Sequence, residues 1–185
     1  MTAPVPSLVV TALLPDDLLA LNRAIGIIRR RNLEVTSLVL GPSGRPGLDR
    51  LSCVIRGEAA TTERMANQLR KMVGVAQVLV QAEVDCTARE HALIRVRVAT
   101  AHLAGLFDTI ALYDALVVDE SPHELTLEVT GAPSLVVSLL RALEPFGVLE
   151  TARGGTLALS RPAEVPAESP RLVAATVRLH SAITA

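Results

Sequence analysis

The sequence has 185 residues, of which 50% are hydrophobic and only 2% aromatic, and its formal net charge is −1. This composition provides aliphatic cores for one or two domains and argues against intrinsic disorder. The near-neutral charge favours neither nucleic acid nor an anionic membrane surface as a partner. No apolar run approaches the length of a membrane span, and the first residues lack the pattern of a signal peptide. We therefore expect a cytoplasmic protein.

The residue types that support catalysis or metal binding occur without the spacing that such sites need. Cys53 and Cys86 do not form a CxxC motif, and the four histidines show no HxH or HxxxH spacing. The glycine-rich segment 41–47 lacks the GK[ST] ending of a phosphate-binding loop. We therefore predict no active site, no metal ion and no cofactor in this chain.

The first half of the chain alternates short apolar runs with amphipathic segments. The apolar runs predict strands over 8–14, 35–40, 51–56 and 75–80. A helix is predicted after Asp16 and Asp17, whose carboxylates can cap its first turn. The buried face of this helix is predicted from the three-and-four spacing of Leu18, Leu21, Ile25 and Ile28. A second helix is predicted to begin at Thr61 or Thr62.

The second half repeats this rhythm after segment 82–91, which is polar, lacks periodicity and is predicted to be a linker. Strands are predicted over 92–98, 115–119 and 125–129, and helices over 102–110 and 132–143. Residues 148–152 and 156–159 are predicted to form a hairpin around Arg153-Gly154-Gly155. The proline-rich tail, 162–185, carries an amphipathic pattern over 172–183 that allows a short terminal helix.

The element order in each half is βαββαβ, so the predicted fold class is α+β, an α/β sandwich with two ferredoxin-like domains. We place the first domain at residues 7–81, the linker at 82–91, the second domain at 92–161 and the tail at 162–185. Two helices cover only one face of a four-stranded sheet. We therefore expect the other face to pack against another module or against a copy of the chain.

Several segments in both halves resemble the small regulatory subunit of acetolactate synthase (acetohydroxyacid synthase). In the first half these are ALNR (20–23), VTSLVLGP (35–42), PGLDRL (46–51) and QLRKMV (68–73). In the second half they are REHALIRV (89–96), LTLEVTG (125–131), LEPFG (143–147) and RGG (153–155). Their common order and spacing make the resemblance specific, and it extends from about residue 8 to residue 161.

This resemblance implies that the first domain is an ACT domain and that the chain is a non-catalytic regulatory subunit. Members of the family bind the thiamine-diphosphate-dependent catalytic subunit, raise its activity and usually transmit feedback inhibition by valine or a related amino acid. ACT domains bind such effectors at dimer interfaces, so a homodimer through the first domain is implied. The alternative is a stand-alone ACT-type amino-acid-binding regulator that is not attached to a catalytic subunit.

The effector site of the family lies at the turn after the first strand and at the start of the second strand. The equivalent residues in this chain are Asp16, Asp17, Leu18, Leu19, Ala20, Asn22, Glu34 and Val35. Leu19 stands where the family has glycine, and Glu34 stands where it has asparagine.

A leucine side chain fills space that the effector needs, and a carboxylate repels the carboxylate of an amino acid. We therefore expect weakened or altered valine feedback. Two interpretations remain: a degenerate site that keeps the activating role, or a site retuned for a ligand whose amine meets Asp16 and Glu34.

Overall fold

The first unit of the fold is a four-stranded antiparallel sheet with two helices on one face. The computed structural model describes residues 7–98 and 102–162. The elements of the first unit are β1 (Ser7–Pro15), α1 (Leu18–Arg29), β2 (Glu34–Pro42), β3 (Leu48–Arg56), α2 (Ala59–Arg70) and β4 (Gln77–Ala82). The strand order is β2-β3-β1-β4, which is the predicted ferredoxin-like arrangement.

The second unit repeats the same topology after a 3₁₀ helix, Glu83–Asp85. Its main elements are β5 (Cys86–Arg97), α3 (Leu103–Leu112), β6 (Leu116–Glu120), β7 (Glu124–Gly131), α4 (Pro133–Leu143) and β8 (Val148–Ser160). The strand order is β6-β7-β5-β8, and a 3₁₀ helix, Glu144–Phe146, follows α4. The predicted fold class is thus confirmed for both halves. The terminal helix predicted over 172–183 lies outside the described residues.

The buried face of α1 agrees with the prediction at Ile28, which is buried, and at Leu21, which packs against the core, but not at Leu18 and Ile25. The buried side chains of this helix are Ala20, Ala24, Ile27 and Ile28. Leu18 and Ile25 are instead 83% and 40% exposed. Two stripes with three-and-four spacing run side by side on this apolar helix, and the sequence pattern alone does not choose between them. The small Ala20 and Ala24 let the helix approach the sheet closely, which favours the stripe that contains them.

Two of the other helices bury their bulky apolar residues. Met65 and Leu69 of α2 are fully buried, although α2 begins at Ala59 rather than at Thr61 or Thr62. Leu139 and Leu143 of α4 are fully buried as well. In these helices the bulky residues form one stripe, so the periodicity identifies the buried face.

The two longest strands, β5 and β8, extend past the second sheet toward the first. Residues 86–90 of β5 pair with residues 156–160 of β8, and of this β5 segment only Glu90 also pairs with β7. We call these two paired segments the ribbon. Its Cys86 and Ala158 form a buried cluster with Val9 and Val54 of the first sheet. The ribbon therefore covers part of the sheet face that α1 and α2 leave open, as expected for packing against another module.

The structure differs from two predictions in this region. Residues 86–91 belong to β5 rather than to a linker, so only the 3₁₀ helix Glu83–Asp85 separates the two sheets along the chain. Residues 148–160 form one continuous strand rather than a hairpin. The Arg153-Gly154-Gly155 segment that suggested a turn lies at a β-bulge, because the register with β5 shifts between Glu90 and Ala92.

The bulge brings the backbone of β8 unusually close to β2. Gly155 has a φ of +76°, in the left-handed region that favours glycine. A Cβ atom at this position would lie 2.7 Å from Cγ2 of Val39 and 3.0 Å from Oγ of Ser37. The two sheets can therefore approach as they do only because residue 155 has no side chain.

We expect the substitution Gly155→Ala to lower the free energy of unfolding by about 2–4 kcal/mol, through left-handed strain and through overpacking against β2. Urea denaturation measures the change. Gly26→Ala is the matched control, because the position is helical and the added Cβ atom has no neighbour within 4 Å apart from the local helix backbone. The control is expected to be neutral or to stabilise by up to about 1 kcal/mol. Equal stability of the two variants would contradict the packing argument.

Candidate functional site

The turn between β1 and α1 is fixed by hydrogen bonds at both aspartates. Asp17 is the N-cap of α1, and its Oδ1 accepts a hydrogen bond of 2.6 Å from the backbone N–H of Ala20. The backbone N–H of Asp16 donates to the carbonyl oxygen of Gly47 at 3.0 Å. The predicted capping role is therefore confirmed for Asp17. Both carboxylates are exposed to solvent.

The same turn presents apolar side chains to solvent. Leu18 and Leu19 are 83% and 58% exposed, whereas Ala20 is buried. Asn22 lies one turn further along α1 and is exposed. Val73 is 85% exposed, and the next residue, Gly74, lies against the ring of Pro15 at the end of β1. This end of the first domain thus carries exposed aliphatic side chains from two neighbouring turns.

Glu34 and Val35 lie at the opposite end of the first sheet. In the strand register Glu34 is opposite Arg56, and Arg56 is opposite Ser7, the first residue of β1. The Glu34 carboxylate is 3.5 Å from Nη1 of Arg56, and both side chains are more than half exposed. Such an exposed pair contributes little to stability. Val35 is also partly exposed.

A single chain therefore does not bring the eight predicted effector residues together. The turn follows Pro15, and the β2 start aligns with Ser7, eight residues earlier on β1. At the rise of a β-strand this separation is about 26 Å along the sheet. The predicted set divides into six residues at the turn and two at the far end, Glu34 and Val35.

A second feature, the ion pair between Glu90 of the ribbon and Arg153 of β8, was not predicted from the sequence. The Glu90 side chain is only 3% exposed, and Arg153 binds both of its carboxylate oxygens. Nη2 of Arg153 donates to Oε2 at 2.9 Å, and Nε donates to Oε1. The hydrogen bond to Glu90 is the main cause that raises the pKa of the Arg153 guanidinium. Arg153 therefore remains a cation beside a buried carboxylate.

Hydrogen bonds next to this ion pair join the two domains. The backbone N–H of Thr156 donates to Oγ of Ser37 on β2 at 2.7 Å. Further along the ribbon, Oγ of Ser160 donates to Oε1 of Gln81 on β4 at 2.7 Å. The ribbon is thus tied to both edge strands of the first sheet.

A sequence signal for this contact existed, since segments 89–96 and 153–155 both belong to the family resemblance. The resemblance gave no indication that Glu90 and Arg153 form a pair.

The two thiols lie in protected environments. Burial raises the pKa of the Cys53 thiol to about 12. Burial also raises the pKa of the Cys86 thiol. Within residues 7–98 and 102–162, no group of three His, Cys, Asp or Glu side chains could hold a metal ion. Over the same ranges, no helix is long and apolar enough to cross a membrane.

Comparison with known proteins gives consistent matches. Residues 89–162 match a family model described as the small subunit of acetolactate synthase. The chain is 33% identical to the acetolactate synthase small subunit of Mycolicibacterium smegmatis, over 84% of this chain and 92% of the relative. It is also 33% identical to the chloroplastic acetolactate synthase small subunit 2 of Arabidopsis thaliana, over 76% of this chain and 30% of that relative.

Among solved structures, the acetolactate synthase small subunit from Thermotoga maritima has a TM-score of 0.76 to this chain at 28% identity. The match covers 84% of this chain and 97% of that chain. The likeness therefore includes both ferredoxin-like domains and is not limited to one of them.

The architecture defines a class, ACT-type regulatory proteins with two ferredoxin-like domains. Identity to the mycobacterial relative over most of both sequences defines the family within that class. The chain belongs to the small, regulatory subunits of acetolactate synthase. This finding confirms the resemblance drawn from the sequence motifs.

We expect Arg153→Gln to lower the free energy of unfolding by about 3 kcal/mol, because the Glu90 carboxylate would remain buried without a counter-charge. Urea denaturation measures the loss, and adding Glu90→Gln is expected to restore part of it. Arg95→Gln is the matched control, since its ion pairs with Glu124 and Glu150 are exposed and contribute at most about 1 kcal/mol. A loss no larger than that of the control would show that the buried pair does not stabilise the ribbon.

Proposed function

We propose that this chain activates the thiamine-diphosphate-dependent catalytic subunit of acetolactate synthase and that its response to valine is weakened or altered. The single observation that supports the activating role is the family membership, which extends over both domains. A stand-alone ACT-type regulator is the second candidate. A stand-alone regulator would not explain why residues 89–162 match the small-subunit family. A cytoplasmic location is part of the same proposal.

The test of this function is an assay with a catalytic subunit from the same source. We expect the full chain alone to form no acetolactate from pyruvate, and we expect it to raise the activity of the catalytic subunit. Co-purification of the two proteins provides an independent measure of binding. Heat-denatured chain is the control for nonspecific protein effects. Product formation by the chain alone, or neither activation nor co-purification, would contradict the proposal.

The arrangement of the effector residues supports a homodimer through the first domain. The turn at Asp16 and the β2 start at Glu34 lie at opposite ends of one sheet. A two-fold related copy can place the start of its β2 beside the turn of the first copy. In a two-fold interface, one part of the surface of each copy contacts a different part of the same surface on the other copy. The exposed Leu18 and Leu19 give the turn an apolar surface that association would cover.

Two substitutions at this shared site reduce the expected affinity for valine. Leu19 is 58% exposed and extends from the position where the family has glycine, so it projects into the space between turn and ligand. Glu34 carries a negative charge, but the adjacent Arg56 partly compensates it. The steric effect of Leu19 is therefore expected to exceed the electrostatic effect of Glu34. A ligand whose amine contacts Asp16 and Glu34 would have to compete with Arg56.

We expect valine to bind the full chain with a Kd weaker than about 1 mM, which corresponds to about 4 kcal/mol of binding free energy. The double substitution Leu19→Gly with Glu34→Asn is expected to recover measurable binding and some valine inhibition of the activated complex. Isothermal titration calorimetry and the activity assay measure the two effects. Sedimentation of each variant checks that the oligomeric state has not changed.

Ile25→Gly with Glu34→Asn is the matched control, because Ile25 is an exposed aliphatic residue of α1 outside the predicted effector site. The control corrects for the helix destabilisation that glycine itself causes. Valine binding tighter than about 1 mM by the unmodified chain, or equal recovery in the control, would contradict the assigned role of Leu19.

A further inference from the structure

A cleft of about 770 Å³ lies between the two domains, beside the ribbon. One wall consists of β2 and β3 of the first sheet, and the other wall consists of α4 and β8 of the second domain. Its volume is within the range of about 300–1,000 Å³ that is typical of small-molecule sites. The cleft does not include the turn at Asp16, because Arg56 in its wall lies at the opposite end of the first sheet. Arg56 does connect the cleft to the start of β2, since it pairs with Glu34.

One polar stripe of α4 faces the cleft. Ser134, Ser138 and Arg141 line it, at spacings of four and three residues that place them on one side of the helix. The opposite side of α4 is buried in the core of the second domain through Val136, Leu139 and Leu143. Arg141 forms no ion pair with a carboxylate of the described residues. The stripe thus offers hydroxyl and guanidinium donors to the space between the domains.

Guanidinium groups from both domains line the same space. Arg56 of β3, Arg141 of α4 and Arg153 of β8 all line the cleft. Arg56 is paired with Glu34 and Arg153 with Glu90, so Arg141 is the one of the three without an ion pair among the described residues. Two carboxylates also line it, but Glu90 is already bound by Arg153, which leaves Glu83. The bidentate pair uses Nε and Nη2 of Arg153, so Nη1 remains available as a donor. The first turn of α4 also reaches the cleft, and the positive end of its helix dipole adds to the field.

We propose that this cleft binds a small molecule that carries phosphate or carboxylate groups. Arginine guanidinium groups form strong, directed hydrogen bonds to both kinds of anion. Arg141 and Ser138 of the second domain and Arg56 of the first domain contact the anion, and the Glu90–Arg153 pair forms the floor. Because its donors come from both domains, the bound anion links them across the cleft. The proposal is independent of the catalytic partner, since the site is complete within one chain.

Isothermal titration calorimetry of the full chain at low ionic strength tests the proposal, with inorganic phosphate and succinate as the two probes. We expect saturable binding of at least one probe with a Kd below about 1 mM. The probe that binds more tightly distinguishes a phosphate ligand from a dicarboxylate ligand. The substitutions Arg141→Gln and Ser138→Ala are each expected to weaken binding, by about ten-fold and about three-fold. Both positions are exposed on α4, so the variants retain the core of the domain.

Arg23→Gln is the matched control, because Arg23 is an exposed arginine of α1 and does not line the cleft. It is expected to bind the probe as tightly as the unmodified chain. Absence of saturable binding of both probes up to about 10 mM would overturn the proposal. Unchanged affinity in both the Arg141→Gln and Ser138→Ala variants would overturn it as well, since the anion would then bind elsewhere.

Discussion

The buried ion pair between Glu90 and Arg153 fixes the point at which β5 and β8 leave the second sheet. A carboxylate that is 3% exposed requires a counter-charge, because burial of an unpaired ion costs several kcal/mol. Arg153 supplies that charge from the residue just before the β-bulge. The need of the Glu90 carboxylate for a counter-charge thereby favours the register in which β8 pairs with β5.

The placement of the second domain on the first depends on that register. The bulge positions Gly155 against β2 and lets the N–H of Thr156 donate to Ser37. The apolar part of the contact is small, a cluster of Val9, Val54, Cys86 and Ala158. Small interfaces of this kind allow relative motion of domains unless directed contacts restrain them. Here the restraint comes from hydrogen bonds and close backbone approach more than from buried area.

The fold class and most strands could be predicted because apolar runs and alternating apolar residues are local signals. Packing of the open sheet face against another module was predicted, but the residues that make this contact could not be, because their signals are ambiguous without a distant partner. Arg153-Gly154-Gly155 has a composition that suits a tight turn and a bulge equally well. The pairing with β5 (Cys86–Arg97) decides between them, and Glu90 of that strand is 63 residues from Arg153 in the sequence. Glu90 suggested a solvated linker for the same reason, since nothing in its neighbourhood reveals the arginine that binds it.

The face of α1 illustrates a different limit. Its leucines and isoleucines are spaced for two faces, and the sheet selects the one with small residues. This choice leaves Leu18 and Leu19 exposed at the turn that the resemblance predicts as part of the effector site. The resemblance predicted which residues are equivalent to the effector site of the family. It did not indicate that one chain separates them by the full length of the first sheet.

This separation distinguishes two kinds of regulation that the fold can support. A ligand held between the turn of one copy and the β2 start of another is linked to association, so its apparent affinity depends on protein concentration. A ligand held in the cleft contacts Arg56 and Arg141 of the same chain, so its affinity depends on the restraint between the two domains. Since Glu90 and Arg153 both line the cleft, the buried ion pair next to the bulge also borders the proposed anion site. The two proposals thus predict different dependences: effector binding at the turn varies with protein concentration, and anion binding in the cleft does not.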